Sequence, residues 1–368
     1  MASEWTTVRA ADFIEFNPRL SLKKGVVATK VAMEKLQPFT KKIPAAELAE
    51  FAGGSKFCNG DIIMARITPC LENGKTAFVD FLKDGEIAFG STEFIVMRAR
   101  AGVSDPQFVY YLATSPAFRN IAIKSMVGSS GRQRVQQGVL DELELTVPPL
   151  GEQQKIGAFL AMLDLKIALN NKINDNLQQQ AQAIYASMFI DNADPAWVQG
   201  HLSDLITVKY GKDHKKLADG SYPVYGSGGI MRYVERPLYD KESVLIPRKG
   251  TLNNVMYVNQ PFWSVDTMFY TEMRLPNVAK FVYHFVKAKD LASMNAGSAV
   301  PSMTTDILNA MEVTIPSASA LEEFESLVAP MYRAMQENDI QSSKLSELRD
   351  ALLPKLMSGE IDVSGIQL

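Results

Sequence analysis

The chain has 368 residues, of which 46% are hydrophobic and 21% are charged, and its formal net charge is −3 at pH 7. This length is sufficient for two domains, each with its own core. No run of 18 apolar residues predicts a membrane helix, and two cysteines are too few for a disulfide framework or a zinc site. Residues 1–5 do not resemble a signal peptide, so we expect a cytoplasmic protein. The negative charge argues against strong nucleic-acid binding by this chain alone.

A repeat is the most informative feature of the sequence. Val147-Pro148 precedes one long heptad-patterned segment, and Ile315-Pro316 precedes another at an offset of 168 residues, from 147 to 315. A repeat of fixed period indicates the architecture before any motif is considered. We therefore predict a pseudo-twofold molecule with globular domains at 1–147 and 191–315, and long helices at 148–190 and 316–368.

Each predicted helix carries an apolar seam with alternating steps of four and three residues, the pattern of a coiled coil. The first seam comprises Ile156, Leu160, Leu163, Ile167, Asn170, Asn174, Leu177, Ala181, Ile184 and Met188. The second comprises Phe324, Leu327, Met331, Ala334, Asn338, Gln341, Leu345, Leu348 and Leu352. Asn170, Asn174, Asn338 and Gln341 are predicted to fix the register of the pair, because a buried amide is satisfied in only one alignment. The alternative is two amphipathic helices on separate cores.

Both globular segments contain similar elements in the same order. In the first we predict strands at 61–66, 76–79 and 90–97, a helix around 108–112 and a polar loop at 128–134. In the second we predict strands at 242–248 and 266–270, a helix around 281–285 and a polar loop at 297–302. Asn73-Gly74 predicts a hairpin between the first two strands. Each segment is thus predicted to be a mixed α/β domain of one fold, with diverged loops that read different targets.

Catalytic motifs are nearly absent from the sequence. It contains no GxxxxGK[ST] phosphate loop, no GxGxxG after a strand and no GxSxG elbow. Asp61, Glu72 and Lys75 supply the residue types of a metal-dependent nuclease, but their spacing is loose and the second segment lacks the set. We expect Cys58 and Cys70 to be buried thiols, and we expect the three scattered histidines to be structural or surface residues.

Cationic and amide residues cluster in the predicted loops. Arginine and lysine suit phosphates and guanine edges, and asparagine and glutamine suit adenine edges, so the mixture fits DNA readout. Solvated charge on a surface loop is the alternative, and it is the commoner explanation of such a cluster taken alone. Glycines would let the backbone approach a duplex closely, unless they only form turns. The candidate DNA-binding residues are Arg66, Lys75, Ser91, Arg132, Arg134, Lys212, Ser227, Gly228, Arg248, Lys249, Thr251, Asn253 and Asn254.

Several segments resemble the specificity subunits of Type I restriction-modification systems. Residues 148–156, 163–167 and 170–174 resemble the central helix region of that family, and residues 352–361 resemble the end of its second helix. Residues 65–75 and 90–94 resemble one type of its target-recognition domain, and residues 222–229, 246–254 and 266–270 resemble another. The resemblance covers nearly the whole chain.

The resemblance implies an α+β fold in which two α/β target-recognition domains are separated by two long helices that pair as an antiparallel coiled coil. It implies a non-catalytic subunit that recognises a bipartite site in double-stranded DNA. Its partners would be two modification subunits, which are adenine methyltransferases, and two restriction subunits, which are ATP-dependent translocases and endonucleases. This chain would bind no cofactor, and S-adenosylmethionine, ATP and Mg would belong to the partner subunits. The helices would also be the docking surface for the modification subunits.

Two other classes of function are compatible with parts of the sequence. A coiled-coil adaptor that binds protein and not DNA would keep the helices but would not need diverged basic loops. A pseudo-dimeric nuclease would need metal-dependent cleavage by the purified chain, with loss of cleavage in an Asp61→Ala variant.

Overall fold

A computed structural model describes residues 5–129, 131–294 and 302–363. The chain forms two compact units, of which unit 1 comprises residues 1–171 and 339–368 and unit 2 comprises residues 172–338. The boundary between the units crosses both long helices, so each unit contains part of each helix. Within the described ranges, no helix combines the length and apolar character needed to cross a membrane.

Unit 1 begins with an α+β domain. Its elements are β1 (Thr6–Arg9), α1 (Ala10–Phe13), β2 (Ile14–Phe16), β3 (Val27–Val31), β4 (Glu47–Glu50), β5 (Ser55–Phe57), β6 (Ile62–Ala65), β7 (Thr76–Phe78), β8 (Ala88–Gly90), β9 (Phe94–Ala99), α2 (Pro106–Thr114), α3 (Pro116–Lys124), α4 (Gln137–Asp141) and β10 (Glu144–Val147). The strands form a main sheet in the order β2-β9-β6-β7 and a second sheet in the order β4-β3-β8-β5. A separate antiparallel pair, β1 with β10, joins the two ends of the domain.

The position of strand β6 between two hydrophobic cores explains why its sequence is a continuous apolar run. Ile62 and Met64 belong to one hydrophobic core together with residues of α2, whereas Ile63 belongs to a second core. Successive side chains of a strand point to opposite faces of the sheet, so a strand between two cores needs apolar residues at every position. The main sheet of unit 1 therefore has a hydrophobic core on each face.

Unit 2 repeats this topology, except that its second sheet has three strands in the described residues where that of unit 1 has four. Its elements outside the long helices are β11 (Val198–His201), α6 (Leu202–Leu205), β12 (Ile206–Tyr210), β13 (Asp219–Gly226), β14 (Gly229–Val234), β15 (Ser243–Pro247), β16 (Met256–Val258), β17 (Trp263–Ser264), β18 (Met268–Met273), α7 (Ala279–Lys287), α8 (Thr305–Asn309) and β19 (Glu312–Ile315). The sheet orders are β12-β18-β15-β16 and β14-β13-β17, and β11 pairs with β19. The parallel pairing of β13 with β17 corresponds to that of β3 with β8. The repeat inferred from the sequence is thus a repeat of topology.

The long helices are α5 (Leu150–Ala186), which continues into a π-helical turn at Ser187–Asp191, and α9 (Ala318–Met357). Helix α9 is continuous through Pro330 and Pro354, so neither proline ends it. The predicted helical segments began at residues 148 and 316, two residues before the observed helices in each case.

Contacts between the two helices run antiparallel within each unit. In unit 1, Arg349 forms an ion pair with Asp164 at 2.6 Å, and Asn170 donates to Gln341 Oε1 at 2.9 Å. Residue numbers therefore fall along α9 as they rise along α5. Asn170, one of the amides predicted to fix the register, therefore forms a hydrogen bond to the opposite helix.

The same direction holds in unit 2. Asn338 donates to Asn174 Oδ1 at 2.8 Å, and Asn174 donates to the carbonyl of Met335 at 3.2 Å. Further along, the rings of Tyr185 and Phe324 lie 6.2 Å apart. All four amides predicted to set the register therefore make hydrogen bonds between the helices.

The apolar seam predicted for the second helix is wrong at two positions. Leu327 and Leu348 are 46% and 45% exposed, whereas Val328 and Tyr332 are buried. A strict seven-residue repeat drifts around a helix that has 3.6 residues per turn. Around Leu327 the buried face follows the core of unit 2, whereas Leu348 lies in the part of α9 that belongs to unit 1. The prediction of buried thiols is also wrong, because Cys58 and Cys70 are both partly exposed.

Candidate nucleic-acid interface

Three chain segments of unit 1 meet where the central strand β6 ends. The N–H of Arg66 donates to the carbonyl of Glu93 at 2.9 Å, and the carbonyl of Arg66 accepts from the N–H of Val135 at 2.9 Å. Ile67 forms an isolated β-bridge with Arg134. We call residues 66–68, 91–93 and 131–135 the unit 1 loop cluster. Backbone hydrogen bonds hold its three segments together, whatever side chains they carry.

Unit 2 builds the same junction at the end of β15. The N–H of Arg248 donates to the carbonyl of Thr267 at 2.9 Å, and the carbonyl of Arg248 accepts from Met303 at 2.9 Å. Lys249 forms the isolated bridge, with Ser302. The unit 2 loop cluster comprises residues 227–228, 248–254, 266–267 and 302–303. Residues 297–301 of the predicted polar loop lie outside the described residues, as does Ser130 in the first loop.

A turn at Ser91–Glu93 divides the strand that the sequence predicts over 90–97. The hydroxyl of Ser91 accepts from the N–H of Glu93 at 3.1 Å, and its carbonyl accepts from Phe94 at 3.2 Å. Gly90 precedes the turn at a close approach, since a Cβ there would lie 2.5 Å from the carbonyl oxygen of Val31. The single-strand prediction is therefore wrong, and Ser91 shapes the turn that presents Glu93.

Arg134 is the most strongly oriented cation of the unit 1 loop cluster. Its Nη2 lies 2.6 Å from Glu93 Oε1, and its Nε lies 2.9 and 3.0 Å from the two carboxylate oxygens. The hydrogen bond to Glu93 raises the pKa of Arg134 above its usual value. Arg132 is also exposed, and its side chain has no hydrogen bond or ion pair to any residue that the structure describes. Val127, which forms a second isolated bridge with Arg134, is 63% exposed.

Two other predicted DNA contacts of unit 1 have internal partners. Arg66 is half-buried and its Nη2 donates to the carbonyl of Val135 at 3.2 Å, while its buried Nε has no hydrogen-bond partner among the described residues. Lys75 is half-buried and donates to the carbonyl of Met33 at 3.1 Å. The side chains of Arg66 and Lys75 thus support the backbone around the cluster. Among the residues of unit 1 predicted to contact DNA, Arg132 and Arg134 have exposed charges.

In unit 2 the equivalent of Arg66 lies on an aromatic ring. The guanidinium carbon of Arg248 is 5.3 Å from the ring centroid of Tyr210, and Nη1 donates to the carbonyl of Asp266 at 3.2 Å. Tyr210 is 52% exposed. Stacking and hydrogen bonding restrict the rotamers of the arginine while leaving part of its guanidinium uncovered. The neighbouring side chains of Lys249 and Thr251 are exposed.

The amides in the unit 2 loop cluster hold the loops together. Asn254 donates to the carbonyl of Ser227 at 2.8 Å, which fixes the Ser227-Gly228 turn between β13 and β14. Asn253 donates to Asp290 at 3.0 Å and accepts from the N–H of Ala292 at 2.9 Å. Both predicted adenine readers thus have internal partners. Gly250 has a φ of +86°, and a Cβ at this position would lie 2.7 Å from Ser227 Oγ.

Lys212 is exposed at the end of β12 nearest the unit 2 loop cluster. Its N–H donates to the carbonyl of Ser264 at 2.8 Å, and its own carbonyl accepts from the indole of Trp263 at 2.8 Å. The backbone is therefore anchored while the ammonium is free to reach solvent. Such an arrangement suits a phosphate contact, which needs charge and reach more than a fixed orientation.

The residues considered for a nuclease do not form a site. Asp61 is fully buried, and both of its oxygens lie 2.7 Å from the guanidinium of Arg98. Glu72 is exposed, and the amine of Lys75 is directed to a backbone carbonyl. Across the described residues, no group of three or more histidine, cysteine, aspartate or glutamate residues is arranged to hold a metal ion.

A polar link connects the aromatic helix α2 to both long helices in unit 1. The hydroxyl of Tyr111 donates to Asp164 Oδ2 at 2.5 Å, and Arg349 pairs with the other oxygen of that carboxylate. The ammonium of Lys41 lies 4.6 Å from the ring centroid of Tyr111. Lys41 is largely buried, and this burial lowers its pKa to about 8. The domain that carries the unit 1 loop cluster is thereby fixed to the helix pair.

Unit 2 makes the equivalent link with a histidine. His284 occupies the position in α7 that Tyr111 occupies in α2. Its Nδ1 is hydrogen-bonded to Gln182 of α5 at 2.7 Å, and its Nε2 is hydrogen-bonded to the hydroxyl of Tyr332 of α9 at 2.9 Å. Burial lowers the pKa of His284 to about 4, so the ring is neutral at pH 7.

Sequence reasoning missed Glu93, Tyr210, Tyr111 and His284 as members of these arrangements. Cations and amides are the residue types expected at a DNA contact, so a carboxylate and a tyrosine that orient an arginine were not among the candidates. A signal was present for the link residues, since Phe108–Tyr111 and Phe281–His284 are equivalent aromatic runs with a polar group at the end of each.

Comparison with known proteins agrees with this architecture. Residues 2–179 and 196–324 match the family model of the Type I restriction modification DNA specificity domain. The Type I restriction enzyme HindI specificity subunit of Haemophilus influenzae is 24% identical, with 82% of this chain and 86% of that protein aligned. The MjaIX specificity subunit of Methanocaldococcus jannaschii is 23% identical, with 70% of this chain and 69% of that protein aligned.

A solved structure shares the fold. The Type I restriction-modification system S subunit from M. genitalium is 18% identical and superimposes with a TM-score of 0.59, covering 96% of each chain. The family model covers most of the chain, and its two matched segments correspond to the two repeated domains. The chain belongs to the family of Type I restriction-modification DNA specificity subunits.

Proposed function

We propose that this specificity subunit reads the two halves of a bipartite site in double-stranded DNA through its two loop clusters. One observation carries the proposal: both units build the same three-segment junction from backbone hydrogen bonds, yet present different side chains on it. Sequence information in DNA is read by side chains at base edges, so a common scaffold with different side chains is the arrangement expected of two readers with different targets.

The reaction itself belongs to other subunits in this proposal. Two modification subunits would methylate adenine with S-adenosylmethionine, and two restriction subunits would use ATP and Mg to translocate and cleave DNA. This chain would be non-catalytic, would bind none of these cofactors and would act in the cytoplasm. Its net charge of −3 supports a shared DNA-binding surface, because phosphate attraction would then come largely from the partners.

Helix α5 supplies a surface for such a partner. Met162, Leu165 and Leu169 lie at helical spacing, and they are 48%, 68% and 48% exposed. Three large apolar side chains on one face of a helix favour burial against another protein surface. We assign this stripe to the docking of a modification subunit. A Leu165→Glu variant should weaken the complex with that subunit, whereas Gln154→Glu, at another exposed position of α5, should leave it intact.

The test of the function is co-expression with a Type I modification subunit in a host without DNA methylation, followed by single-molecule mapping of N6-methyladenine. A split motif that disappears when this chain is omitted would support DNA specificity. A stable complex that leaves no methylation above background would contradict it, and would favour a protein-binding adaptor.

A further inference from the structure

The ion pair between Glu93 and Arg134 has a geometry that suits recognition of one base. The carboxylate of Glu93 occupies the edge of the guanidinium formed by Nε and Nη2, because its three contacts all involve these two nitrogens. The edge formed by Nη1 and the outer N–H of Nη2 has no partner among the described residues. Two parallel N–H groups on that edge match the O6 and N7 acceptors of guanine in the major groove.

The ion pair is not needed to hold the loop. In unit 2 the same backbone bridge joins Lys249 to Ser302, and the positions of Glu93 and Arg134 are taken by Thr267 and Ser302. The unit 2 junction therefore forms without an ion pair at this place. Exposed ion pairs also contribute little to stability. The pair in unit 1 is consequently a feature of that unit's surface chemistry and not of the shared fold.

The surroundings of Arg134 limit its freedom to move. Its backbone N–H and carbonyl both bond to Val127, at 2.9 and 3.0 Å. Glu93 is itself fixed by the Ser91 turn and has only 23% of its side chain exposed, compared with 45% for Arg134. A carboxylate held this way orients the guanidinium before any ligand arrives, which lowers the entropy cost of a bidentate contact.

We propose that Arg134 reads a guanine in the half-site recognised by unit 1, and that Glu93 is a positioning residue that orients it. This inference rests on the proposed DNA-reading function and specifies its chemistry in one unit. A phosphate contact is the competing role for Arg134, and it would affect all DNA sequences alike. Cytosine recognition by Glu93 is disfavoured because both of its oxygens already accept from Arg134.

The experiment maps N6-methyladenine for the complex with the modification subunit, using wild type, Arg134→Ala, Glu93→Gln and Arg132→Ala. Arg132→Ala is the comparison for loss of an exposed charge from the same loop, because the side chain of Arg132 has no partner among the described residues that would orient it toward one base. The half-site of unit 1 is identified as the half that changes when residues 1–147 are exchanged for those of another specificity subunit.

We expect Arg134→Ala to lose discrimination at one G·C pair of that half-site by roughly 10- to 100-fold, with the other half-site read as before. Glu93→Gln should relax the same position to a smaller extent, because an amide orients the guanidinium less strongly. Thermal unfolding of both variants should match wild type. A purely structural role for Glu93 could not produce relaxation confined to one base pair.

Several results would overturn the inference while leaving the proposed function intact. These are a unit 1 half-site without a G·C pair, a uniform loss across sequences in Arg134→Ala, or a Glu93→Gln profile identical to that of wild type. If wild type itself produces no split motif, the proposed function fails, and the base assignment fails with it.

Discussion

At the scale of single residues, Arg248 is the arginine of the unit 2 loop cluster, and its side chain has a defined orientation. It lies on the ring of Tyr210, and its Nη1 donates to the backbone carbonyl of Asp266. If it reads a base, Arg248→Ala should weaken binding to the cognate half-site by ~1–3 kcal/mol and relax one position. Binding measured on cognate and substituted duplexes at several salt concentrations checks this. An equal loss on every duplex, with a shallower salt dependence, would identify a phosphate contact.

The second prediction concerns the effect of His284 on stability. Its pKa is about 4 in the folded protein, below the usual value near 6.5, because burial disfavours the imidazolium. Between these values the unfolded chain binds more protons, so the free energy of unfolding should fall as the pH drops from 6.5 to 4, by up to ~3 kcal/mol. The contribution is fully present above pH 6.5.

Urea unfolding at pH 7 and at pH 4.5 measures this effect. His284→Gln removes the titrating group and should flatten the pH dependence, whereas His201→Gln, at an exposed position, should keep the wild-type slope. Equal slopes for wild type and His284→Gln would show that other groups govern acid unfolding.

At the scale of elements, the third prediction concerns the amides between the long helices. Asn174→Leu removes the acceptor of Asn338 and leaves a polar amide facing an apolar side chain, so it should lower the free energy of unfolding by ~1–3 kcal/mol. The double variant Asn174→Leu/Asn338→Leu should recover most of this loss, because both polar groups are gone. Denaturant unfolding of the two variants checks the prediction. A double variant no more stable than the single one would contradict it.

The elements also show what a sequence can indicate. Strands β6 and β15 were predictable because burial on both faces requires continuous apolar runs, and the amides at 170, 174, 338 and 341 were predictable because they interrupt an apolar seam. Leu327 was wrongly predicted to lie on the buried face, because a heptad rule takes no account of the core of unit 2, which buries Val328 instead. The parallel pairing of β3 with β8 joins segments far apart in sequence, so no local pattern indicated it.

The candidate site was less predictable than the fold. Arg66, Asn253 and Asn254 have the residue types of DNA readers, yet their side chains have partners within the protein. Glu93 and Arg134 are 41 residues apart and meet only because the turn before β9 and the loop before α4 join at the end of β6. Composition predicts which residues could contact DNA, and the backbone junction decides which of them are available.

At the scale of the whole molecule, the repeat means that each reader is a separate module. Each unit has its own cores, its own loop cluster and its own polar link to α5 and α9. Exchange of one domain should therefore leave the other reader undisturbed. The residue chemistry of the links differs between units, with a tyrosine in one and a histidine in the other, so the units should also respond differently to acid.

The most direct test of DNA reading by two separate domains is a domain exchange, with methylation as the readout. Residues 1–147 of this chain would be replaced by the matching domain of a specificity subunit of known motif, and N6-methyladenine would be mapped in the complex with the modification subunit. We predict that one half of the split motif changes to that of the donor, while the other half and the gap between the halves stay the same. A hybrid that forms the complex but alters both halves, or retains the original motif, would show that the two domains do not read the two halves independently.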